Sequence, residues 1–479
     1  MVPRLDAVDP ARLSRGMLAG ALLLASACRH FVPAPLAPAE SAAALESRSL
    51  ADPGLHALLD KVLPGGTPAW PLAKWDLTAL TLAALYFHPS LDVARAHWQV
   101  AEAGVLTAGA RPNPILSVTP QFISNTGAAK PWDITSVLDW PIETAGKRAR
   151  RIEGAEQLTT AARLGIDTAA WQVRSDLRLR LLDFAAARLR AEQLVRELAA
   201  QREVVALLEQ RVRAGALSTT EIAPARLAAL QSAADLAAAE RQQREARVGV
   251  AEAIGVTERA LEGIEIDFPL DAPAGGPEPA PDELRRQALQ GRPDLLGALA
   301  EYEASQAALR LEIARQYPDL RVGPGYEYDQ GLNKWSVIGF AIELPVLNRN
   351  EGPIAEAEAR RSEAAARFLA LQAAVIGQLD RALASRTSAR EELERSESVL
   401  ATERERAGAT ARSLEAGASD RLALQTAEAE LARAERIHID AQVRMQQALG
   451  DLEAAVQQPL DLAVDVEQGR PAASRSSAP

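Results

Sequence analysis

The chain has 479 residues, a formal net charge of −11, aromatic residues at only 4% and a single cysteine. The negative balance argues against a nucleic-acid partner, and one thiol excludes both a disulfide framework and a thiolate metal site. Much of the apolar content is alanine and leucine, so the expected class is mostly α with a small β part, made of long helices with narrow seams.

Residues 1–27 read as a leader. Arg4, Arg12 and Arg15 precede the apolar run Met17 to Ala27, which is too short to span a bilayer and has the layout of a secretory signal peptide. Cys28 follows small residues directly, an arrangement like a bacterial lipobox, with Ala25 where leucine is usual. Cleavage there with acylation of Cys28 is expected; the alternative is an ordinary leader cleaved nearby. An extended, lipid-anchored segment is expected over 28–74, Pro/Ala-rich at Val32 to Pro38.

From Trp75 to Ala110 apolar residues recur at spacings of three and four, which predicts a helix. Alternation then predicts strands over 115–123 and 132–140, joined by the turn-rich "SNTGAAKP". The second strand ends at Pro141 in "DWPIETAGKR", whose Gly146 marks the passage into helix. No proline occurs from Glu143 to Arg213, and at 1.5 Å per residue that segment would run about 100 Å as a helix. Ala191, Leu194, Leu198, Gln201, Val205, Leu208 and Val212 form a coiled-coil seam along it. A reversal at Gly215, with Ser218 and Glu221 at capping-box spacing, leads to a returning helix over Thr220 to Ile254.

A Pro/Gly-rich linker, 263–281, separates this first unit (75–262) from a second (282–458) that follows the same plan. "HPSL" at His88 lies over "RPDL" at Arg292, "ARPNPIL" over "ARQYPDL", and Pro141 over Pro345, all at a shift of 204. The second unit is expected to hold a helix from Asp282 to Gln316 and strands over 320–328 and 335–344 around "DQGLN". A long helix from Ile354 to Leu414 follows, with Phe368, Leu371, Val375 and Leu379 on one stripe, then a reversal at Gly417 and Ser419 and a helix from Arg421 to Val456. The fold predicted is a duplicated helix, β-hairpin and long helical hairpin. The tail 459–479 reads as disordered.

Four strands cannot close a barrel, and open edges cannot face lipid, so transmembrane strands would require oligomerisation; three chains would supply twelve. The competing reading is a soluble sheet capping a helical bundle. Trp132, Trp140, Tyr326, Tyr328 and Trp335 lie at or near strand ends, where interfacial aromatics sit, and favour the membrane. Lys147, Arg148, Arg150 and Arg151 open a helix, where the macrodipole disfavours cations; either they reach phospholipid headgroups or they form a solvated face. His30, His56, His88, His97 and His438 lack ligand spacing, and no glycine-rich phosphate loop is present, so no catalysis, resident metal or cofactor is expected.

The lipobox-like start, "ARPNP" before a hairpin, "DWPIETAGKR" after it, the "RVRAG" reversal and the duplicated second half together resemble the TolC-like outer-membrane efflux family, and most closely its CzcC-like cation-efflux branch. The resemblance covers about Trp75 to Val456. It implies a homotrimer in the bacterial outer membrane, with a twelve-stranded barrel continued by a periplasmic α-helical barrel. It also implies a passive exit duct that docks through a periplasmic adaptor protein onto an inner-membrane RND-type pump exporting divalent heavy-metal cations. Arg211, Gly215 and Ser218, with Arg412, Gly417 and Ser419, would be the tips that meet the adaptor. The family's acidic pore ring falls on Ala423 and Thr426, which leaves Glu415 and Asp420 as the candidate constriction. Past the leader only Met445 remains among the methionines, so no Met/His relay for soft metals exists, and a wide water-filled duct needs none. Organic drug efflux or type I protein secretion through the same channel stays open, as does, more remotely, a soluble periplasmic coiled-coil scaffold.

Overall fold

The computed structural model describes residues 31–63, 66–67, 69–124, 130–271 and 280–460. Cys28, the leader, most of the linker around Pro277 and the tail from 461 lie outside the described residues. Residues up to Arg48 form one unit, holding α1 (Pro38–Glu46). The unit from Ser49 onward holds the other described elements.

Within it, α2 (Pro53–Val62) is started by Asp52, whose carboxylate accepts from the amides of Gly54 and Leu55 at 2.8 and 3.0 Å. Leu55 and Leu59 are buried, so this stretch is a packed helix and not the extended segment the composition suggested. The single helix expected over 75–110 is two, α3 (Leu77–Phe87) and α4 (Pro89–Gly109). The helix expected over 282–316 divides in the same way into α7 (Pro281–Gly291) and α8 (Pro293–Ala314). The cause is common: His88 and Arg292 precede prolines that exclude the α region, and each sits extended while its proline opens the next helix.

The strands are β2 (Ile115–Phe122), β3 (Trp132–Ile142), β5 (Leu320–Asp329) and β6 (Leu332–Ile342), in one antiparallel sheet of order β2-β3-β5-β6. β5 and β6 meet at a two-residue turn, Gln330 and Gly331, both at positive φ, so β6 starts and ends earlier than the alternation suggested. The long helices are α5 (Lys147–Arg213, 67 residues) and α9 (Glu351–Glu415, 65 residues), with returning helices α6 (Ala223–Ile254) and α10 (Arg421–Val456). A short parallel pair, β1 (Lys74–Trp75) with β4 (Glu265–Ile266), ties the segment before α3 to the segment after α6. Element order after α3 therefore occurs twice: helix, hairpin, long helix, returning helix.

The core sits partway along α5, where Leu177, Leu181 and Leu182 pack with Leu55, Leu59, Leu80, Trp75, Ile254 and Leu261. Phe268 and Leu270 join it, so the first residues of the linker are core. Charge is buried beside it. Glu453 of α10, 1% exposed, receives Arg174 of α5 at 2.9 and 3.3 Å and lies 3.3 Å from Arg178 Nε. Arg178 also donates to the Gln446 carbonyl and side chain at 2.9 and 3.0 Å.

At the end of α6, Gly255 has φ +86° and packs on the break between α3 and α4; a Cβ there would lie 2.9 Å from His88 Cα and 3.0 Å from the Phe87 carbonyl oxygen. Both the left-handed backbone and the close approach require glycine. Gly255→Ala is expected to cost at least about 2 kcal/mol, read as a lower midpoint of thermal unfolding in detergent.

Candidate functional site

The sheet separates its residues by chemistry. The register places Phe122 opposite Trp132, Ile134 opposite Tyr328, Tyr326 opposite Trp335, Trp140 opposite Val322, and Leu320 opposite both Ile142 and Ile342. Directly opposed residues share a face, so these side chains form one apolar surface. The other face carries Asp133, Asp139, Arg321, Glu327, Asp329 and Lys334, with ion pairs Arg321–Asp139 at 3.0 Å and Lys334 to Glu327 and Asp329 at 3.1 and 2.8 Å.

Among the described residues no helix lies across either face. On β6 Trp335 is 72% exposed and Phe340 77%. A sheet capping a soluble bundle would turn its apolar face inward; here that face is bare and the charged face makes the ion pairs. Phe122 and Trp132 stack edge to face, and Tyr326 lies against Trp335, near the hairpin end, while Trp140 lies at the helix end. Trp140 lies eight residue steps beyond Trp132, about 26 Å of strand, close to the height of an outer-membrane apolar band. The outer strands β2 and β6 each have one unpaired edge. Pro120, which cannot donate to a ladder, is confined to such an edge.

At the junction with the helices each residue of the basic cluster has a partner within the protein. Lys147 is buried, donating to Asp319 Oδ1 and the Tyr317 carbonyl, both at 2.7 Å. Arg148 donates to the Gly109 carbonyl at 2.7 Å; Arg151 donates to the Ala108 and Ala110 carbonyls at 3.2 Å and holds Glu143. Arg150 pairs with Glu153 of its own helix at 2.9 Å. Lys147 and Arg151 thus spend their charge within the protein, and exposed Arg148 spends part of its own on a main-chain carbonyl. The carbonyls that Arg148 and Arg151 reach are at the C-terminus of α4, where a helix dipole favours cations, and this offsets their poor position at the start of α5. Burial pushes the Asp319 carboxyl up, but Lys147, the Thr144 amide and Arg151 overcome it and hold it below the usual carboxylate value.

Sequence reasoning missed Thr144, Asp319 and Asn350. Thr144 donates from its amide to Asp319 at 3.0 Å and from its hydroxyl to the Pro318 carbonyl at 2.7 Å. Asn350 Nδ2 reaches the Glu312 carbonyl at 2.7 Å. A signal was available for the last: at the shift of 204 Asn350 lies over Gly146, and both start a long helix from left-handed backbone, φ 61° and 71°. Glycine and asparagine are the residues that visit that region most readily. Pro141 lies inside β3, whereas Pro345 lies past the end of β6.

At the far end of the helices both reversals have one geometry. The amides of Gly215 and Ala216 return to the carbonyls of Val212 and Arg211, and those of Gly417 and Ala418 to Leu414 and Ser413, at 2.9–3.0 Å. With φ of 74° and 72° at the glycines, these are two Schellman closures. The capping box is half made: Glu221 accepts from the Ser218 amide at 2.7 Å, but the Ser218 hydroxyl turns to Thr220, and α6 starts later, at Ala223. Ser419 follows its glycine with its amide on the Ser413 carbonyl, and Arg412 is exposed.

The two reversals are tied by Arg211 and Asp420 at 2.5 Å. Asp420 also caps α10, accepting from the Ala423 amide at 2.8 Å. Of the two candidate constriction residues, exposed Asp420 has both oxygens engaged within one protomer, while Glu415 is exposed at the end of α9.

The Ala423 amide and then Arg211 hold the Asp420 carboxyl below its ordinary value. A depressed carboxylate stabilises the fold above its unfolded pKa of about 3.9 and stops doing so as pH falls through the lower folded value. Amide exchange at the start of α10, corrected for its intrinsic rate, is therefore expected to hold steady from neutrality to about pH 4 and to quicken below it. Asp420→Ala should show the fast exchange at neutral pH, and Arg211→Ala should leave the cap intact.

Among the described residues no helix is long and apolar enough to cross a membrane, and no group of three His, Cys, Asp or Glu could hold a metal ion. The family described as outer membrane efflux protein matches twice, over residues 82–256 and 284–457. The chain is 29% identical over 297 residues to the cobalt-zinc-cadmium resistance protein CzcC of Cupriavidus metallidurans, covering 61% of this chain and 68% of that one. Its fold is similar to that of the outer membrane protein VceC of Vibrio cholerae, with a TM-score of 0.65 at 21% identity over 80% of this chain and 96% of the other. It is also similar to CusC, whose crystal structures concern folding and transmembrane channel formation, with a TM-score of 0.65 at 17% identity over 89% and 99%.

Proposed function

The chain belongs to the outer membrane efflux protein family, and from that premise we propose that it is a lipid-anchored homotrimeric duct exporting divalent heavy-metal cations as one part of a tripartite pump. The observation that carries the trimer is the four-stranded sheet with a bare apolar face and two unpaired edges, which no single chain can place in lipid. Three copies close a twelve-stranded barrel, apolar face outward and the Asp139, Glu327 and Lys334 face lining water. Trp132, Trp140, Tyr326, Tyr328 and Trp335 then form the interfacial girdles, and Cys28 carries the acyl anchor.

The two units, 75–262 and 282–458, are copies of one ancestral unit, which the double family match supports. Helices α5 and α9, about 100 Å each, continue the barrel as an α-helical tube across the periplasm. The Arg211 to Ser218 and Arg412 to Ser419 reversals meet an adaptor protein that joins the tube to an inner-membrane RND-type pump, and Glu415 lines the closed end. The duct does no chemistry: the pump supplies energy, and the adaptor contact dilates the tips.

The cation cargo rests on the likeness to the cobalt-zinc-cadmium resistance protein. Growth of a deletion strain across zinc, cobalt, cadmium, copper and silver salts, beside a panel of dyes and antibiotics, tests it. Sensitivity confined to metals is expected. Sensitivity to organic compounds alone would keep the channel and overturn the cargo.

A further inference from the structure

The two halves join strand to helix differently. In the first, β3 runs through Pro141 to Ile142 and α5 begins at Lys147. In the second, β6 stops at Ile342, before Pro345, and α9 begins only at Glu351. At the shift of 204, Ile142 lies over Val346, so the first strand reaches four residues further than the second.

The freed connector is apolar and bare: Leu344 is 68% exposed, Val346 76% and Leu347 98%. The Val346 amide donates to the Leu344 carbonyl at 2.8 Å, a tight turn that bends the chain away from an extended ladder. The connector is also anchored. Asn348 accepts from the Asn350 amide at 2.8 Å, and Asn350 is held on Glu312 of α8. Three aliphatic side chains are thus presented to solvent on a fixed base, at a cost that only a partner offsets.

Position identifies the partner. The connector continues directly from Phe340 and Ile342 on the apolar face, and it leaves the sheet at the end where Trp140 stands exposed. Exposed Tyr317 lies before β5 at the same end, and Arg349 is exposed beside the turn. Aliphatic side chains bounded by aromatics and a cation match the boundary between acyl chains and phosphates.

We propose that Leu344, Val346 and Leu347 form a wedge inserted among phospholipids of the leaflet nearest the helices, once per protomer, with Arg349 at the phosphate level. The proposal rests on the barrel reading above. The wedge fixes the depth of the duct and resists its tilting, and the shorter connector of the first half has no counterpart.

The test uses the full-length trimer in phosphatidylethanolamine and phosphatidylglycerol vesicles, with Leu347→Cys carrying an environment-sensitive fluorophore and the unsubstituted chain as the labelling blank. Val346→Cys serves in the same way should the first variant not assemble. The expected result is a blue-shifted emission relative to a Glu363→Cys label on α9, with loss of intensity on adding lipid nitroxide-labelled high on the acyl chain and no loss with iodide. A shifted emission that lipid does not quench would mean that a neighbouring copy covers the segment, and quenching by iodide would mean that water does; either overturns the wedge and leaves the barrel standing. Failure of the unsubstituted trimer to float with vesicles would overturn both.

Discussion

Gly323→Ala is expected to abolish assembly of the membrane sheet, while Gly325→Ala, two residues along the same strand, is expected to be tolerated. A Cβ at Gly323 would lie 1.5 Å from the Leu138 carbonyl oxygen and 2.6 Å from its carbon, both main-chain atoms that no side-chain rotation can move. The β3–β5 ladder skips here: Val137 faces Gly325 and Trp140 faces Val322, with Leu138 and Asp139 unpaired between them. On its other side β5 bulges between Gly323 and Gly325 against β6. β3 can approach Gly323 because nothing projects from that carbon. Alanine would force the strands apart, and in a bilayer each broken ladder bond leaves polar groups without water to satisfy them, at several kcal/mol apiece. At Gly325 the nearest atom would be 3.5 Å away, an ordinary contact. Separate expression of the two variants, followed by membrane fractionation and native electrophoresis, should show trimers for Gly325→Ala and none for Gly323→Ala.

This irregularity was not legible in the sequence, although the strands around it were. Alternation located all four strands because one face needed apolar groups and the other polar ones, and that need writes a period of two directly into the chain. The proline-free runs marked the long helices for a similar reason, since a proline past the first turn, where Pro353 of α9 is tolerated, would have broken the hydrogen-bond series. The breaks at His88 and Arg292 were readable in principle, from the prolines that follow them, but the continuous apolar periodicity on both sides masked them.

What stayed hidden depended on residues far apart in the chain. Lys147, Arg148 and Arg151 look like a surface cluster until α4 and Asp319 are set beside them. Asp420 looks like a lone exposed acid until Arg211, on the other reversal, is set beside it. Phe268 and Leu270 look like linker until the core closes on them. In each case local composition was read correctly and the partner was what it could not supply. Glu453 is the clearest instance: one more glutamate on a helix rich in them, and the most deeply buried charge of the described residues.

Glu453→Ala is therefore expected to be far more damaging than loss of any exposed glutamate on the same helix. Its carboxylate answers two guanidinium groups from α5, and its Oε1 also accepts from the Leu460 amide at 2.9 Å. Truncation would remove the carboxylate that lies 3.3 Å from the buried Arg178 Nε, and breaking a buried charge pair from one side costs about 3–5 kcal/mol, a large part of a domain's usual margin. Glu453→Gln should fall between: it keeps one acceptor oxygen but turns an amide donor toward a guanidinium that is itself all donor. Removing charge from both sides tests the cause. If stranding is the damage, Arg178→Met combined with Glu453→Leu should cost much less than the two single changes added together, because apolar groups of similar size need no partner there. Thermal unfolding of the three variants in detergent gives the comparison. Additive losses would mean that the site matters through its shape alone. A double variant close to the unsubstituted chain would mean that charge is kept there to fix how α10 seats against α5, and so how the second half of the chain is held against the first.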